Sequence, residues 1–269
     1  MQKTILLTGA TDGLGAKAAI LMASQGHHLI VHGRDEARLA HLQDRLTASA
    51  SPEAKIDMVL CDLSSLKDVN RMADDLLARG HQIDVIINNA GVLKAPNTTT
   101  AEGFELRFVV NTIAPYLLVK KLLPSVPNEG RIVNLSSAAQ NPLEAQEITR
   151  CASYSDMGAY AKSKLAITAW TKALSDIYQD YVFVSVNPGS LLGTKMVKEG
   201  FGIEGADIMI GADIIFRAAL SDEFEQANGL YYDNDAKQFG PPHELAQESV
   251  FGKALIHEMD ALLSQLNLG

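Results

Sequence analysis

Short apolar runs alternate along most of the chain with longer segments in which apolar residues recur at helical spacing. The runs occupy residues 5–7, 28–32, 56–61, 83–87, 131–135, 182–186 and 230–232. Several are apolar at nearly every position, which is typical of parallel strands covered by helices on both faces. Between them, apolar residues lie three or four positions apart, as on one face of a helix. The pattern predicts a single α/β domain over residues 1–269, with a doubly wound, seven-stranded parallel sheet flanked by helices.

Residues that commonly cap helices precede three of the helical segments. Asp35 is expected to cap the second helix. Ser65 with Asp68, and Thr99 with Glu102, have the spacing of a capping box. The first pair precedes the third helix, and the second pair precedes a long helix that runs to about residue 122. These residues mark where the helices on the sheet are predicted to begin.

Two segments and the C-terminal region depart from this alternation. Residues 140–158 are polar and rich in turn formers, and residues 190–205 mix glycines with large apolar side chains. We interpret residues 190–205 as a flexible substrate loop, an apolar lid, which favours an apolar substrate unless the lid packs on its own protein. Residues 240–269 are predicted to form a C-terminal extension, a loop followed by an amphipathic helix.

Composition and charge narrow the classes of partner. Hydrophobic residues make up 47% of the chain and charged residues 20%, as in an ordinary globular protein. The net charge of −9 disfavours nucleic acid and anionic membranes as partners. No run of about 18 apolar residues predicts a membrane span, and the first residues lack the pattern of a signal peptide, so we expect a cytoplasmic protein. Cys61 and Cys151 have no metal-ligand spacing, so no metal site is predicted, and no disulfide can be inferred between them.

Three glycines, Gly9, Gly13 and Gly15, lie where the first strand is predicted to meet the first helix. A dinucleotide pyrophosphate needs a tight turn, open access to backbone N–H groups and the positive end of a helix. Glycines at such a junction supply all three. Glycine-rich turns also occur in loops that bind nothing. The position between a strand and a helix favours nucleotide binding over a plain turn.

The ends of the second and third predicted strands carry charged residues that could contact the adenosine part of a dinucleotide. Arg34 follows the second strand, where a guanidinium group suits the 2′-phosphate of NADP; the alternative is a solvated loop charge. Together with the glycine loop, Arg34 favours NADP(H) over NAD(H). Asp62, at the end of the third strand, either accepts from the adenine amino group or helps to cap a helix, and its position alone does not decide.

A tyrosine and a lysine four positions apart, Tyr160 and Lys164, lie on one face of a predicted helix. A phenol, whose ordinary pKa is about 10, becomes a usable acid or base when an ammonium group stabilises its phenolate. Ser137, at the end of the fifth strand, could donate to the same substrate oxygen. Asn111 is polar within an apolar helix, and taken alone it is interpreted as a satisfied core amide.

In their order along the chain, these motifs resemble the short-chain dehydrogenase/reductase family. The resemblance rests on the glycine loop at residues 8–15, the Asn-Asn-Ala-Gly segment at residues 88–91, Ser137, the Tyr160 and Lys164 pair, and the Pro-Gly pair at residues 188–189. It covers about residues 3–232. The segment between Ser137 and Tyr160 is longer than in most members and is similar to the retinol-dehydrogenase-like branch. The resemblance implies a Rossmann-type fold and an NADP(H)-dependent oxidoreductase that interconverts a carbonyl compound, a ketone or aldehyde, and an alcohol.

The resemblance also implies a role for each matched residue. Tyr160 would exchange a proton with the substrate, and Ser137 would polarise its carbonyl group. Lys164 would hold the nicotinamide ribose and lower the tyrosine pKa. Asn111 would anchor a water that links Lys164 to solvent, which replaces the interpretation from its position alone, and Asp62 is assigned to adenine. The implied cofactor contacts are Gly9, Thr11, Asp12, Gly13, Leu14, Gly15, Arg34, Asp62, Leu63, Asn89, Ala90, Gly91, Tyr160, Lys164, Pro188, Gly189 and Thr194.

Several alternatives remain open. Ser136 is a rival for Ser137, which we prefer because the family's serine follows a small residue at the strand end. Thr194 comes one residue later than the family's carboxamide-binding threonine, so either the loop bulges at residues 190–193 or another group makes that contact. A nucleotide-binding regulator without turnover, or a lyase or epimerase that uses the same tyrosine, would have the same fold. The family further implies a homodimer or homotetramer, formed through apolar faces of the helices at residues 104–123 and 160–178.

Overall fold

One mixed sheet forms the centre of the protein. The computed structural model describes residues 1–150 and 152–268. Two residues, Cys151 and Gly269, lie outside the described residues. The question of a disulfide involves Cys151, and Gly269 is the end of the predicted extension. Within them the strands are β1 (Thr4–Leu7), β2 (His28–Gly33), β3 (Lys55–Leu60), β4 (Val85–Asn88), β5 (Arg131–Leu135), β6 (Val182–Asn187), β7 (Tyr231–Asp233) and β8 (Gln238–Gly240). They lie side by side in the order β3-β2-β1-β4-β5-β6-β7-β8.

The first seven strands pair in parallel, as predicted. The prediction of seven strands is wrong by one, because β8 pairs antiparallel with β7 and forms the edge of the sheet. β8 is only three residues long, and Phe239 is its one large apolar residue, so no apolar run marks it in the sequence. Lys237 has a left-handed φ of 54° in the turn that reverses the chain after β7.

Helices cover both faces of the sheet, which is why its inner strands are apolar on both sides. α1 (Gly13–Ser24), α2 (Glu36–Ser49) and α8 (Ile208–Leu220) pack on one face, and α3 (Leu66–Ala78), α5 (Ala114–Leu122) and α6 (Asp156–Ile177) pack on the other. The remaining helices are α4 (Leu106–Phe108), α7 (Lys195–Phe201), α9 (Glu244–Gln247) and α10 (Ser249–Gln265), with 3₁₀ turns at Leu123–Ser125, Ala145–Thr149 and Asp222–Phe224. A π-helical turn, Val109–Ile113, joins α4 to α5.

Two of the three predicted helix caps are confirmed. Asp35 and Ser65 each accept a hydrogen bond from a backbone N–H of the helix that follows, at 2.9 and 3.3 Å. The third prediction is wrong. Thr99 instead pairs with Glu105 in an isolated β-bridge, and the Glu105 side chain caps α4. The long helix therefore begins later than the sequence pattern predicts.

The C-terminal helix α10 packs along the outer side of α6 and reaches α5. Asp260 on α10 accepts hydrogen bonds from the Tyr116 hydroxyl, at 2.7 Å, and from the Lys120 ammonium group, at 2.8 Å. At Gly252 the two helices touch, because a Cβ there would lie 2.8 Å from the Cβ of Ala173. The predicted extension is thus a packed helix of the fold.

This packing changes the expectation about assembly. The apolar side chains that were expected to meet a partner chain are buried within this chain, with the exception of Ile177, which is 52% exposed. The buried ones are Tyr116, Leu117, Leu118, Val119, Trp170 and Leu174. These six side chains therefore cannot form the expected interface between chains, because they already have an intramolecular cover. Among the described residues, no helix is both long and apolar enough to cross a membrane.

Candidate active site

The glycine loop after β1 is tied to the end of β4. The Thr8 hydroxyl accepts from the N–H groups of Asn89 and Ala90, at 3.0 and 3.1 Å. The side-chain amide of Asn89 donates to the carbonyl oxygens of Thr8 and Gly9, at 2.8 and 3.0 Å. Gly9 has a left-handed φ of 65°, and a Cβ there would lie 2.7 Å from the Cα of Ala90. Only glycine fits this approach of two backbones.

The amino end of α1 lies between the glycine loop and the predicted lid, a region that we call the cleft. Asp12 caps α1 by accepting from the N–H of Gly13 at 2.7 Å. Gly13 has a left-handed φ of 55°, and a Cβ there would project towards the side chain of Thr194, 3.7 Å away. The first N–H groups of a helix have no partner within the helix, so they can receive an anion. This helix end is therefore the part of the glycine loop that could receive a phosphate group.

The other loop residues secure the loop to its neighbours. Gly15 lies against the Gly9 carbonyl group, where a Cβ would come within 2.3 Å of its oxygen. Thr11 packs at the end of β2, and Leu14 packs against α8. These contacts make Gly15, Thr11 and Leu14 parts of the turn, and leave the amino end of α1 as the surface that faces the cleft.

His32 connects the glycine loop to the end of β3, and sequence reasoning missed it. The N–H of Gly9 donates to His32 Nδ1 at 3.1 Å, so Nδ1 carries no proton. Nε2 therefore donates to the carbonyl oxygen of Cys61, at 2.9 Å. Burial lowers the pKa of His32, and the hydrogen bond accepted at Nδ1 requires the neutral ring. The signal was a histidine inside an apolar strand, where a polar ring needs buried partners.

The residues expected at the adenosine end lie at the ends of β2 and β3. Arg34 is exposed at the tip of β2. Nη1 of Arg38, one turn into α2, lies 3.4 Å from Oδ2 of Asp12, which brings a second guanidinium group to the glycine loop. Asp62 is exposed and accepts from a backbone N–H two residues further on, at 2.9 Å. Leu63 is buried in the core, so any cofactor contact from Leu63 would come from its backbone.

The Lys164 ammonium group is buried between the ends of β4 and β5. Lys164 is 4% exposed, and its Nζ donates to the carbonyl oxygen of Leu135 at 2.6 Å. A Cβ on Gly91 would lie 3.6 Å from Nζ, so Lys164 adjoins the segment that is expected to meet the ribose. Burial lowers the pKa of Lys164 to about 8, because the charged form loses its hydration.

The Tyr160 phenol lies beside Lys164 on one face of α6, with 5.6 Å between Nζ and the centre of the ring. Burial raises the pKa of Tyr160, and a hydrogen bond with the Ser137 side chain opposes this rise only in part. Burial therefore sets the direction for the chain by itself, and the lowering of the tyrosine pKa by Lys164 stays a prediction. Loss of hydration of the phenolate dominates, and the ammonium group is engaged with Leu135.

Asn111 lies in the π-helical turn, and both polar atoms of its side chain have partners. Oδ1 accepts from the N–H of Val92 at 2.8 Å, and Nδ2 donates to the Val92 carbonyl oxygen at 3.0 Å and to the Ser163 hydroxyl at 2.9 Å. The interpretation as a satisfied core amide thus holds for the side chain. The water that the resemblance implies beside Asn111 stays a prediction.

The predicted lid contains α7 and lies over the glycine loop. Leu191 has a left-handed φ of 51°, and Leu192 pairs with Ala206 in an isolated bridge, so the backbone does bulge at the start of the lid. The bulge brings Thr194 to Gly13, although the Thr194 hydroxyl is used to cap α7.

The opposite side of the lid rests on the segment after β4. The Lys94 ammonium group donates to the carbonyl oxygen of Glu199 in α7, at 3.1 Å. The methyl group of Met196 would lie 3.8 Å from a Cβ on Gly91. The lid therefore contacts both the glycine loop and the segment after β4, the two parts of the chain expected to hold the cofactor.

Polar residues after β7 hold the base of the lid. Asn234 Nδ2 donates to the carbonyl oxygen of Pro188 at 2.9 Å, and Gly189 next to it has a left-handed φ of 118°. Asp235 accepts from both the N–H and the hydroxyl of Ser190, at 2.8 and 2.6 Å. Sequence reasoning missed Asn234 and Asp235; their signal was a polar turn directly after an apolar strand.

The long segment between Ser137 and Tyr160 is anchored at several points. Ile148 is buried within it, and Glu147 accepts from the Tyr154 hydroxyl at 2.8 Å and from the Lys162 ammonium group at 2.5 Å. Asp156 begins α6, four residues before the predicted start, and pairs with the buried Arg107 at 2.5 Å. These contacts fix the start of the helix that carries Tyr160.

Fold and site together define a class of nucleotide-binding α/β oxidoreductases, and comparison with known proteins agrees. The family model described as short chain dehydrogenase matches residues 3–202. Retinol dehydrogenase 13 of Mus musculus is 28% identical over 92% of this chain and 80% of its own length. Short-chain dehydrogenase TIC 32 A, chloroplastic, of Brassica napus is 30% identical over 85% of this chain and 79% of its own.

Solved structures show the same fold. A short chain dehydrogenase from Shigella flexneri, solved in complex with NADP, is 25% identical to this chain. The match covers 87% of this chain and 97% of that chain, and the two superpose with a TM-score of 0.68. The chain belongs to the short-chain dehydrogenase family, in its retinol-dehydrogenase-like branch.

Proposed function

We propose that this protein is an NADP(H)-dependent oxidoreductase that interconverts a ketone or aldehyde and an alcohol. In this proposal Tyr160 exchanges a proton with the substrate oxygen, and Ser137 donates a hydrogen bond to the same atom. Lys164 binds the ribose next to the reacting centre. Dehydrogenase chemistry follows from the family; the cofactor preference and the residue roles are our proposal.

The observation that carries the proposal is the position of Tyr160 between Ser137 and Lys164 at the end of β5. A carbonyl oxygen gains negative charge as it is reduced, and two preorganised hydroxyl donors stabilise that charge. Because burial raises its pKa, Tyr160 is protonated at neutral pH and can donate. In the chain by itself, the Tyr160 phenol is thus in the state of a proton donor.

The residues of the cleft fit a nicotinamide dinucleotide, which would supply or accept the hydride when bound. The amino end of α1 at Gly13 suits the pyrophosphate, and Arg34 with Arg38 suits a 2′-phosphate. One carboxylate oxygen of Asp35 is already engaged as a helix cap. The related enzyme solved with NADP supports the same preference. The other proposed contacts are Asp62, Leu63, Asn89, Ala90, Gly91, Lys164, Pro188, Gly189 and Thr194.

We also propose an apolar substrate. The lid exposes large apolar side chains next to the cleft: Leu191 is 45% exposed, Phe201 47% and Ile203 42%. A relative named for retinol, an apolar alcohol, supports this proposal. Contiguous exposed apolar surface commonly marks a binding site.

The test is a screen of ketones, aldehydes and alcohols with NADPH absorbance as the readout, followed by Tyr160→Phe on the best substrate. We expect a loss of turnover of about 10²–10⁴ with NADPH binding retained. Tyr178→Phe, a partly exposed tyrosine of the same chain, serves as the matched control and should leave turnover unchanged. Tight NADPH binding with no turnover on any substrate would favour a regulator. Unchanged turnover in Tyr160→Phe would refute the assigned role.

A further inference from the structure

Three side chains that commonly bind metals meet at the edge of the sheet, at the opposite ends of the strands from the glycine loop. His28 is the first residue of β2, Asp57 lies on the edge strand β3, and His81 follows Gly80 after α3. One ligand atom from each residue lies within 4.8 Å of the other two. These residues take no part in the candidate active site.

The fold brings them together from distant parts of the sequence. The parallel register pairs His28 with Lys55 and Ile30 with Asp57, so His28 and Asp57 project from the same face of the sheet. Gly80 has a left-handed φ of 70°, which turns the chain back after α3 and delivers His81 to that face. The two imidazole rings lie edge to face, with 5.1 Å between their centres.

The distances suit a tetrahedral metal ion. Nε2 of His28 lies 2.9 Å from Oδ2 of Asp57, and Nε2 of His81 lies 3.8 Å from the same oxygen. Zinc binds nitrogen and oxygen ligands at about 2.0–2.2 Å, so tetrahedral ligand atoms lie about 3.4 Å apart. The two observed distances fall on either side of this value. The His81 side chain is 38% exposed and has room to make the small rotation that closes the site.

We propose that His28, Asp57 and His81 bind a divalent transition-metal ion, zinc in the first instance, with water completing its coordination. Two imidazole nitrogens and one carboxylate oxygen form a ligand set that zinc uses, whereas magnesium and calcium prefer oxygen ligands throughout. The His28 side chain is 10% exposed and the Asp57 side chain 38%, so the site is partly open to solvent.

The ion would act as a structural clamp. It would join β2, β3 and the connection between α3 and β4, which are otherwise linked at this edge by backbone pairing and by the hydrogen bond from His28 to Asp57. The proposed catalytic groups lie at the carboxyl ends of the strands. Metal binding is therefore expected to change stability and to leave turnover unaffected.

The test uses the full chain without an affinity tag, dialysed against zinc alone. Wild-type protein is expected to retain about one zinc ion per chain, and its melting temperature should rise by roughly 5 °C when zinc is about 100-fold above its dissociation constant. His81→Asn and Asp57→Asn should each weaken zinc binding by about 10- to 100-fold or more. His41→Asn, an exposed histidine on α2, is the matched control and should bind zinc as wild type does.

Copper provides an independent readout, because electron paramagnetic resonance of bound Cu²⁺ reports its nitrogen ligands. Two coupled imidazole nitrogens are expected in wild type and one in His81→Asn. Equal zinc stoichiometry and affinity in wild type and His81→Asn would overturn the proposal, as would the absence of binding at micromolar zinc. In either case the hydrogen bond between His28 and Asp57 alone would account for the cluster.

Discussion

Ser136 and Ser137 are adjacent at the end of β5, yet their hydroxyl groups serve different sides of the strand. The Ser136 hydroxyl is buried against α6, 2.6 Å from the Thr168 hydroxyl and 3.4 Å from the carbonyl oxygen of Lys164. The Ser137 hydroxyl interacts with the Tyr160 phenol and also accepts from a backbone N–H in its own turn. Tyr231 donates to the Ser137 carbonyl oxygen at 3.2 Å, which holds this turn in place.

The pair of serines gives the first prediction. Ser137→Ala should lower turnover by about 10²–10³, because it removes a donor from the developing oxyanion. Ser136→Ala should leave turnover close to wild type and lower the free energy of unfolding by about 1 kcal/mol through the lost buried hydrogen bond. Steady-state kinetics and urea unfolding of both variants check this. If turnover falls in Ser136→Ala and not in Ser137→Ala, the assignment of the two serines is reversed.

The second prediction concerns the pKa of Lys164, which burial lowers to about 8 from an ordinary 10.5. Between these two values the unfolded chain holds a proton that the folded chain has lost, so stability rises with pH across this window. The rise is at most about 3 kcal/mol, at about 1.4 kcal/mol per pKa unit. Lys164→Met should abolish it.

Two measurements on the cofactor-free protein check this prediction. Carbon-13 resonance of labelled lysine side chains should show one group that titrates near pH 8, and its signal should be missing in Lys164→Met. Between pH 7 and 10, the free energy of unfolding should rise more steeply with pH in wild type than in Lys164→Met. Titration of every lysine at its ordinary pKa would contradict the prediction for Lys164.

The third prediction tests the cofactor preference. Arg34→Ala should lose about 1.5–3 kcal/mol of NADPH affinity, the value of a charge-assisted hydrogen bond, with NADH affinity barely changed. Arg38→Ala should show a loss of the same sign, because Arg38 already lies at the glycine loop beside Asp12. Arg79→Ala, at the far end of α3, is the matched control. Equal losses for NADPH and NADH would show that Arg34 does not read the 2′-phosphate.

The fourth prediction concerns the helix α10. Because α10 already covers α6, wild-type protein is expected to be a monomer by light scattering at micromolar concentration. Gly252→Ala should push α10 away from Ala173, destabilise the protein by about 1–3 kcal/mol and promote self-association. Gly240→Ala, where no atom lies within 4 Å of an added Cβ, is the matched control. A wild-type dimer that persists in Gly252→Ala would show that another surface mediates assembly.

Much of the fold could be predicted because its signals are local. Apolar runs defined seven parallel strands, and Asp35 and Ser65 marked helix starts through their own side chains. The spacing of Tyr160 and Lys164 fixed their common face, since four residues are about one helical turn. Such features depend on residues close in sequence, and for that reason they were recovered.

Other features could not be predicted because they depend on tertiary contacts. The amphipathic pattern of α10 predicted a buried face, but only the structure shows that Gly252 lets it pack on α6. The pKa of Tyr160 depends on burial, which sequence spacing does not report. The cluster of His28, Asp57 and His81 likewise arises from strand register and one left-handed glycine.

The short antiparallel strand β8 also affects how the protein behaves in a crowded solution. A strand at the margin of a sheet presents unpaired N–H and C=O groups that can recruit a strand of another molecule and start fibrous aggregation. Here β8 shields β7 with only three residues, and it is followed directly by Pro241 and Pro242, which have no N–H to offer. This margin of the sheet is therefore a poor template for edge-to-edge growth.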